Sequence, residues 1–128
     1  IIASSIYFIS LLPILLFLVP KFFATFNGLW GITQHMGLQE NTKDHRLSTR
    51  SVRLNPVFSF IYWKMEYHIE HHMFPMVPSY NLPKLYEIIK DQLPEPQTLY
   101  SAYKDIIPAV IKKTNDPNYF IPVKLPSH

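Results

Sequence analysis

The chain has 128 residues, which leaves room for one domain at most. It contains no cysteine, so disulfides, zinc ribbons, iron–sulfur clusters and thiolate-ligated haem are excluded, and any metal site must use histidine with carboxylates or amides. The net charge of +3 and the pI near 9.1 fit a cytoplasmic membrane face better than nucleic-acid binding, because lysine and arginine are not clustered with stacking aromatic residues.

The first part of the chain is predicted to cross a membrane. Ile1 to Val19 carries no charge, and the apolar character continues past Lys21 to Phe26, close to the ~20 residues that a bilayer requires. The alternative, a buried helix of a large soluble core, is disfavoured because no amphipathic period is present. We predict a transmembrane segment over 1–26, with the later excess of lysine and arginine placing the following residues on the cytoplasmic side. Since the chain starts without Met or a charged leader, we expect it to be a piece of a longer protein.

The next stretch, 27–38, holds all three glycines and one histidine. Gly37 is predicted to end a helix as its C-cap. Gly31 lies one helical turn before His35 on the same face and leaves space there for an ion, a water or another helix. From spacing alone, His35 is more typical of an interfacial polar residue than of a metal ligand.

Residues 39–54 form the most polar segment and are predicted to be a solvated cytoplasmic loop, with His45 solvated within it. Its basic residues could contact lipid phosphates or an acidic electron-transfer partner, although a solvated face is the commoner use. A new helix is predicted to start at Asn55-Pro56, with Asn as the N-cap and Pro at the first helical position.

This helix is predicted to continue to Phe74 and to carry three histidines in the spacing H-x-x-H-H. His68, His71 and His72 stand at i, i+3 and i+4, so on a helix all three imidazoles project from one face. Three neutral imidazoles are a good partial set of ligands for iron, zinc or copper. The alternative is a polar helix turn with surface histidines.

Other residues of the same predicted helix bear on this site. Glu70 should point to the opposite face, which makes it a poor candidate for the same ion. Ile61 and Met65 should fall on the histidine face, where an apolar floor would suit an apolar substrate or ordinary core packing.

Two amphipathic helices are predicted to follow. One starts near Leu82 and repeats apolar residues to Leu93, and the second runs over 99–113 with Pro108 as a kink. They could cover the metal site or lie on the membrane surface. The remainder, 114–128, is predicted to be irregular or disordered. The expected fold class is therefore all-α, a membrane helix followed by cytoplasmic helices.

The histidine box is followed by Phe74-Pro75 and Leu82-Pro83, and it is preceded by Gln34-His35-Met36-Gly37-Leu38, Asp44-His45-Arg46 and Thr49-Arg50. Together these motifs resemble the C-terminal part of the membrane fatty acid desaturase family, whose third histidine box is H-x-x-H-H with a Phe-Pro and then a Leu-Pro after it. The resemblance covers roughly 1–94, divided into the transmembrane segment 1–26 and metal-binding cytoplasmic helices over 27–78. Residues 95–128 remain as an amphipathic helix and a proline-rich tail.

The resemblance implies an integral membrane protein with two iron ions on the cytoplasmic side. In that family, histidines from three boxes and one additional histidine hold the irons, so the implied ligands here are His68, His71 and His72, with His35 at the additional position. Outside the box itself, neither H-x-x-x-H nor a second H-x-x-H-H occurs in these 128 residues. The diiron centre would then be completed by histidines absent from this chain, and the chain alone is expected to be inactive.

The implied reaction is the O2-dependent introduction of a double bond into a fatty acyl chain, with a cytochrome b5-like protein or a ferredoxin as electron donor. The implied partners are acyl lipid and membrane lipids, and no nucleic acid. Trp30, Trp63 and Tyr67 are candidates for lining the acyl path, although aromatic residues are common at membrane interfaces.

Three other functions stay open at this point. A diiron hydroxylase or ketolase acting on alkanes, sphingolipids or carotenoids would share similar boxes. A zinc hydrolase would need a general base, and the chain lacks H-E-x-x-H. A non-catalytic membrane module would use the histidines for haem or for nothing.

Overall fold

The computed structural model describes residues 2–7 and 11–126. The chain forms two compact units, residues 1–31 and 32–128, which are called here the N-terminal and the C-terminal unit. Helix α1 covers Ile2–Tyr7, and a π-helical stretch over Ile14–Leu18 leads directly into helix α2, Val19–His35, whose last turn belongs to the C-terminal unit.

One candidate membrane span is present among the described residues, and it overlaps the predicted segment 1–26. The continuous helix from Ile14 to His35 has 22 residues and is long and apolar enough to cross a membrane by length and composition. Large apolar side chains in this region are more than half exposed, among them Leu15, Phe17 and Phe22. The predicted segment 1–26 includes residues 1 and 8–10, which lie outside the described residues.

Helix α2 ends at the predicted glycine. Gly37 has φ = +79°, the left-handed conformation that favours glycine, and it directs the chain away from the helix axis. A Cβ at this position would lie 2.9 Å from Cδ1 of Ile121, so the tail of the chain also packs closely here. The prediction of a C-cap at Gly37 is confirmed.

The C-terminal unit is built from short helices joined by a minimal sheet. Its elements are α3 (His45–Ser48), β1 (Val52–Arg53), α4 (Pro56–Ile61), α5 (His68–Met73), α6 (Leu82–Ile89), β2 (Gln97–Thr98) and α7 (Leu99–Asn115), with 3-10 turns over Ser79–Asn81 and Lys90–Gln92. The chain is mostly helical, as predicted, but β1 and β2 pair in parallel with Val52 opposite Gln97, which the all-α prediction did not include. Val52 packs with Ala102 and Ile106 of α7 in the hydrophobic core, and Leu99 packs against this cluster.

The predicted continuous helix over 56–74 is wrong. Helix α4 starts as predicted, because the Asn55 side chain accepts a hydrogen bond from the Phe58 amide and Pro56 occupies the first turn. It ends at Ile61, since Trp63 and Lys64 adopt φ = +57° and +61°.

These two left-handed residues are held in place by hydrogen bonds back to α4. The Lys64 amide donates to the Ser59 carbonyl at 2.9 Å, and the Lys64 ammonium donates to the Ser59 hydroxyl. Because the break resets the helical register, the predicted placement of Ile61 and Met65 on the histidine face does not follow.

The predicted solvated loop over 39–54 is also only partly correct. Residues Thr49, Arg50, Ser51 and Val52 are buried, at 2–7% exposure. Burial of Arg50 is compatible with its charge because its guanidinium donates to the Thr33 carbonyl at 2.6 Å. This polar segment therefore runs through the interior and supplies strand β1.

The last predicted helices are confirmed, and the tail is more ordered than predicted. Helix α6 begins at Leu82 and α7 at Leu99, with Pro108 inside α7. Residues 116–126 have no regular structure, but the Ile121 amide donates to the Gly37 carbonyl at 2.7 Å. The tail is therefore irregular and packed where it is described; residues 127–128 lie outside the described residues.

Candidate metal centre

The histidine box lies on a helix of less than two turns. Helix α5 runs from His68 to Met73, and its inner face buries Ile69 and Glu70, at 2% and 0% exposure. His68 and His72, one turn apart, lie on the opposite face of the helix and are half-buried. The box is thus half-buried rather than a solvated helix turn.

Three imidazoles converge at this face. The Nε2 atoms of His68 and His35 are 2.8 Å apart, and those of His68 and His72 are 3.1 Å apart. One ring nitrogen from each of the three residues lies within 4.8 Å of the other two. Side chains that are 33 and 37 positions apart in the sequence therefore meet at one face.

The nitrogen set fits a metal ion. Two ligand nitrogens at ~2.1 Å from a common ion are about 3–3.5 Å apart at tetrahedral or octahedral angles, close to the distances from His68 Nε2 to the Nε2 atoms of His35 and His72. Burial, followed by the neighbouring His35, His72 and His71, lowers the pKa of His68 to about 3. Burial together with the nearby His35 and His45 also lowers the pKa of His72. Both imidazoles are therefore neutral at physiological pH, the form that binds metal.

The orientation of His35 is set by helix α3. Its Nδ1 lies 3.4 Å from the carbonyl oxygen of Ser48, the last residue of that helix. An Nδ1–H donating to this carbonyl leaves the Nε2 lone pair free to face His68. Such an acceptor behind a ligand histidine fixes its tautomer and ring orientation.

The end of α2 is braced against the histidine box by Gln34. Its side-chain amide donates to the Met65 carbonyl at 2.6 Å and accepts from the Tyr62 hydroxyl at 3.0 Å, while its backbone carbonyl accepts from the Arg50 amide at 2.8 Å. Gln34 is 3% exposed. One buried residue thus fixes the position of His35 relative to the turn that precedes α5.

His71 and Glu70 occupy other positions on α5. The ring of His71 is 5.9 Å from that of His72 and 6.2 Å from that of His68, and it does not belong to the convergent set of three. Its Nδ1 is buried and has no hydrogen-bond partner among the described residues. Glu70 points away from the histidines, as predicted, and its Oε2 accepts from the Ser51 hydroxyl at 2.9 Å.

The three aromatic candidates have different surroundings. Trp63 is 74% exposed in the turn after α4, and Trp30 belongs to the N-terminal unit, where it is 7% exposed. Tyr67 packs beside Tyr86, with ring centroids 5.8 Å apart, and lines a cavity of about 300 Å³ that no histidine lines.

His45 lies beside the cluster, contrary to the prediction that it is only solvated. It is half-buried, and its ring centroid is 5.3 Å from that of His72, with the two planes at 33°. No spacing rule indicates this contact, because α3 and α5 are joined by nineteen residues of irregular structure and short elements. The sole sequence signal was its place in the Asp44-His45-Arg46 segment.

With this geometry established, the chain can be compared with known proteins. The fatty acid desaturase family model matches residues 1–104. The chain belongs to the fatty acid desaturase family, a family of membrane-associated oxidoreductases of lipid metabolism that is known for diiron sites. No curated protein and no solved structure matches the chain significantly.

Proposed function

We propose that this chain forms part of the diiron centre of a membrane enzyme that uses O2 to introduce a double bond into a fatty acyl chain. The observation that supports this most directly is the convergence of His35, His68 and His72 in a chain of the fatty acid desaturase family. These three histidines, with His71 as a fourth, are the proposed ligands. The ligands that complete the centre come from boxes outside these 128 residues.

The residues of the chain have distinct tasks in this proposal. When bound, the irons supply the O2-dependent removal of hydrogen from an unactivated C–H bond, which no side chain can perform. The protein holds His68 and His72 neutral by burial, so that they are ready to bind metal without first losing a proton. Ser48 orients His35, and Gln34 keeps the end of α2 against the turn before the box.

The membrane arrangement of the proposal rests on the helix over Ile14–His35. Its exposed apolar side chains would contact lipid, and His35 at its C-terminal end would place the metal centre at the cytoplasmic interface. Trp63, exposed just before the box, fits an interfacial anchor better than the wall of an acyl path. A cytochrome b5-like protein or a ferredoxin would deliver electrons from the cytoplasm.

A hydrolytic zinc site is less consistent with the geometry. A hydrolase needs a general base beside the metal. Among the residues that the structure describes, no carboxylate belongs to the histidine group, and the nearest acid in sequence, Glu70, is buried behind the helix and bonded to Ser51.

The test is product and metal analysis of the complete reading frame that contains this chain, expressed in a host with simple fatty acids. We expect about two irons per protein and a new unsaturated acyl product, both lost in His68→Ala and retained in the exposed control Lys43→Ala. A hydroxylated product without a new double bond would replace the desaturase by a hydroxylase. Zinc at full occupancy without iron, or a Soret band from haem, would contradict the diiron centre.

A further inference from the structure

We propose that His45 is an additional metal ligand of this centre, supplied by helix α3 rather than by the histidine box. The inference rests on the proposed function, because it adds a residue to the same site. It is independent of the H-x-x-H-H spacing, since His45 lies outside that motif and outside the convergent set of three.

The ring distances support this placement. Within the convergent set, ring centroids are 4.7 Å apart for His35 and His68, 5.1 Å for His35 and His72, and 4.6 Å for His68 and His72. The ring centroids of His45 and His72 are 5.3 Å apart, only slightly further than the most distant pair of that set. His71, by contrast, belongs to the box but lies 5.9–6.2 Å from its neighbours. His45 is therefore closer to the cluster than one of the residues of the box itself.

The backbone of α3 is held so that His45 faces α5. Asp44 caps the helix by accepting from the Arg46 amide at 3.0 Å, and it also forms a bidentate ion pair with the Arg46 guanidinium. Arg46 in turn donates to the Gln92 carbonyl at 3.1 Å, which ties α3 to the turn after α6. At the other side of the helix, the Thr49 amide donates to the His45 carbonyl at 3.0 Å.

Helix α3 touches the cluster at both of its ends. Its first residue, His45, lies against the ring of His72, and its last residue, Ser48, presents its carbonyl to Nδ1 of His35. Because the same four-residue helix orients one ligand through a carbonyl, the position of His45 is coupled to that of the metal centre. A nitrogen donor at this position would extend the site beside His72.

The experiment uses Co(II) as the probe, because its visible spectrum reports the number and type of ligands. The protein encoded by the complete reading frame that contains this chain is purified in detergent, freed of metal with a chelator and titrated with CoCl2. We expect His45→Ala and His45→Phe each to weaken Co(II) binding by more than about 100-fold, beyond the 10–100-fold usual for a residue that only orients a ligand. The exposed neighbour variant Lys43→Ala should bind as the wild type does.

A second variant gives a positive signal. Because these 128 residues contain no cysteine, His45→Cys introduces a single thiol into this part of the protein, and its coordination to Co(II) would add a thiolate-to-cobalt charge-transfer band in the near ultraviolet that the wild type lacks. The matched variant Lys43→Cys should show no such band. Circular dichroism of each metal-free variant verifies that the helices are retained.

The outcomes separate the two proposals. If His45→Phe binds Co(II) as tightly as the wild type, or if His45→Cys shows no charge-transfer band, His45 is a packing neighbour and this inference is overturned while the metal centre stands. If the wild-type protein from the complete reading frame binds no Co(II) at all, the metal centre and the proposed function fail with it.

Discussion

Replacement of Gln34 by methionine is expected to destabilise the C-terminal unit by about 2–4 kcal/mol. The side chain is 3% exposed and makes two hydrogen bonds, one to the Met65 carbonyl at 2.6 Å and one from the Tyr62 hydroxyl at 3.0 Å. Loss of the Tyr62 bond costs about 1 kcal/mol, since this half-buried hydroxyl can turn to water. The Met65 carbonyl loses its partner in a partly buried position, which costs about 1–3 kcal/mol more.

The assay is urea unfolding of the chain in detergent, followed by circular dichroism. Tyr62→Phe alone should cost about 1 kcal/mol and should cost nothing further in the Gln34→Met background, a coupling that a double-mutant cycle measures. Gln92→Met, at an exposed glutamine, should stay within about 0.5 kcal/mol of the wild type. A Gln34→Met variant as stable as the Gln92→Met control would refute the inference that the Gln34 hydrogen bonds hold α2 against the histidine box.

Three further predictions concern residues around the site. First, the folded-state pKa of His68, about 3, lies below its ordinary 6.5, so the unfolded chain binds this proton more readily and stability is lost as pH falls through that window. The metal-free chain should lose about 2 kcal/mol from about pH 7.5 to about pH 5 in urea titrations, and His68→Gln should remove most of that loss. Second, Gly37→Ala should lower the free energy of unfolding by at least ~1–2 kcal/mol in thermal melts, because φ is +79° and the new Cβ would lie 2.9 Å from a side chain of the tail. The control Gly28→Ala, whose new Cβ would have no atom within 4 Å, should show no loss in the same assay. Third, Ser51→Ala removes the hydroxyl that donates to Glu70 and should cost about 1–3 kcal/mol by urea unfolding; a cost below ~0.5 kcal/mol would show that the carboxyl finds another partner.

The parts of the fold that local rules determine could be predicted from the sequence. The N-cap at Asn55, the helix end at Gly37 and the start of α6 near Leu82 each depend on a few neighbouring residues, and each is confirmed. The pairing of His68 with His72 likewise follows from one helical turn. The approach of His35 to this pair came from the family resemblance, because no periodicity joins residues so far apart.

The errors arose where long-range contacts override local preference. Left-handed conformations at Trp63 and Lys64 have no sequence signature, since neither residue favours positive φ. Hydrogen bonds to α4 accompany them, from the Trp63 amide to the Phe60 carbonyl and from the Lys64 amide to the Ser59 carbonyl. The burial of Arg50 reverses the expectation for a charged loop residue, and its cause is a carbonyl of α2 that only the folded chain brings near. His45 was misjudged for the same reason, because its partner lies on a separate helix.

The arrangement of the histidines is a property of the C-terminal unit rather than of any one helix. Helices α3 and α5 have four and six residues, far below the length at which an isolated helix is stable, so neither can hold an imidazole in place alone. Their positions are fixed by hydrogen bonds that involve no histidine side chain. Gln34 donates to the turn before α5, and the Ser51 hydroxyl donates to Glu70 and accepts from the Ile69 amide on the inner face of α5. The ligand geometry is therefore prepared by buried polar residues behind the site, which is what a metal centre requires of its supporting residues. A substitution in this buried network should disturb the proposed metal centre through the same displacement that destabilises the fold, whereas one at a proposed ligand nitrogen should weaken metal binding while these supporting hydrogen bonds are retained.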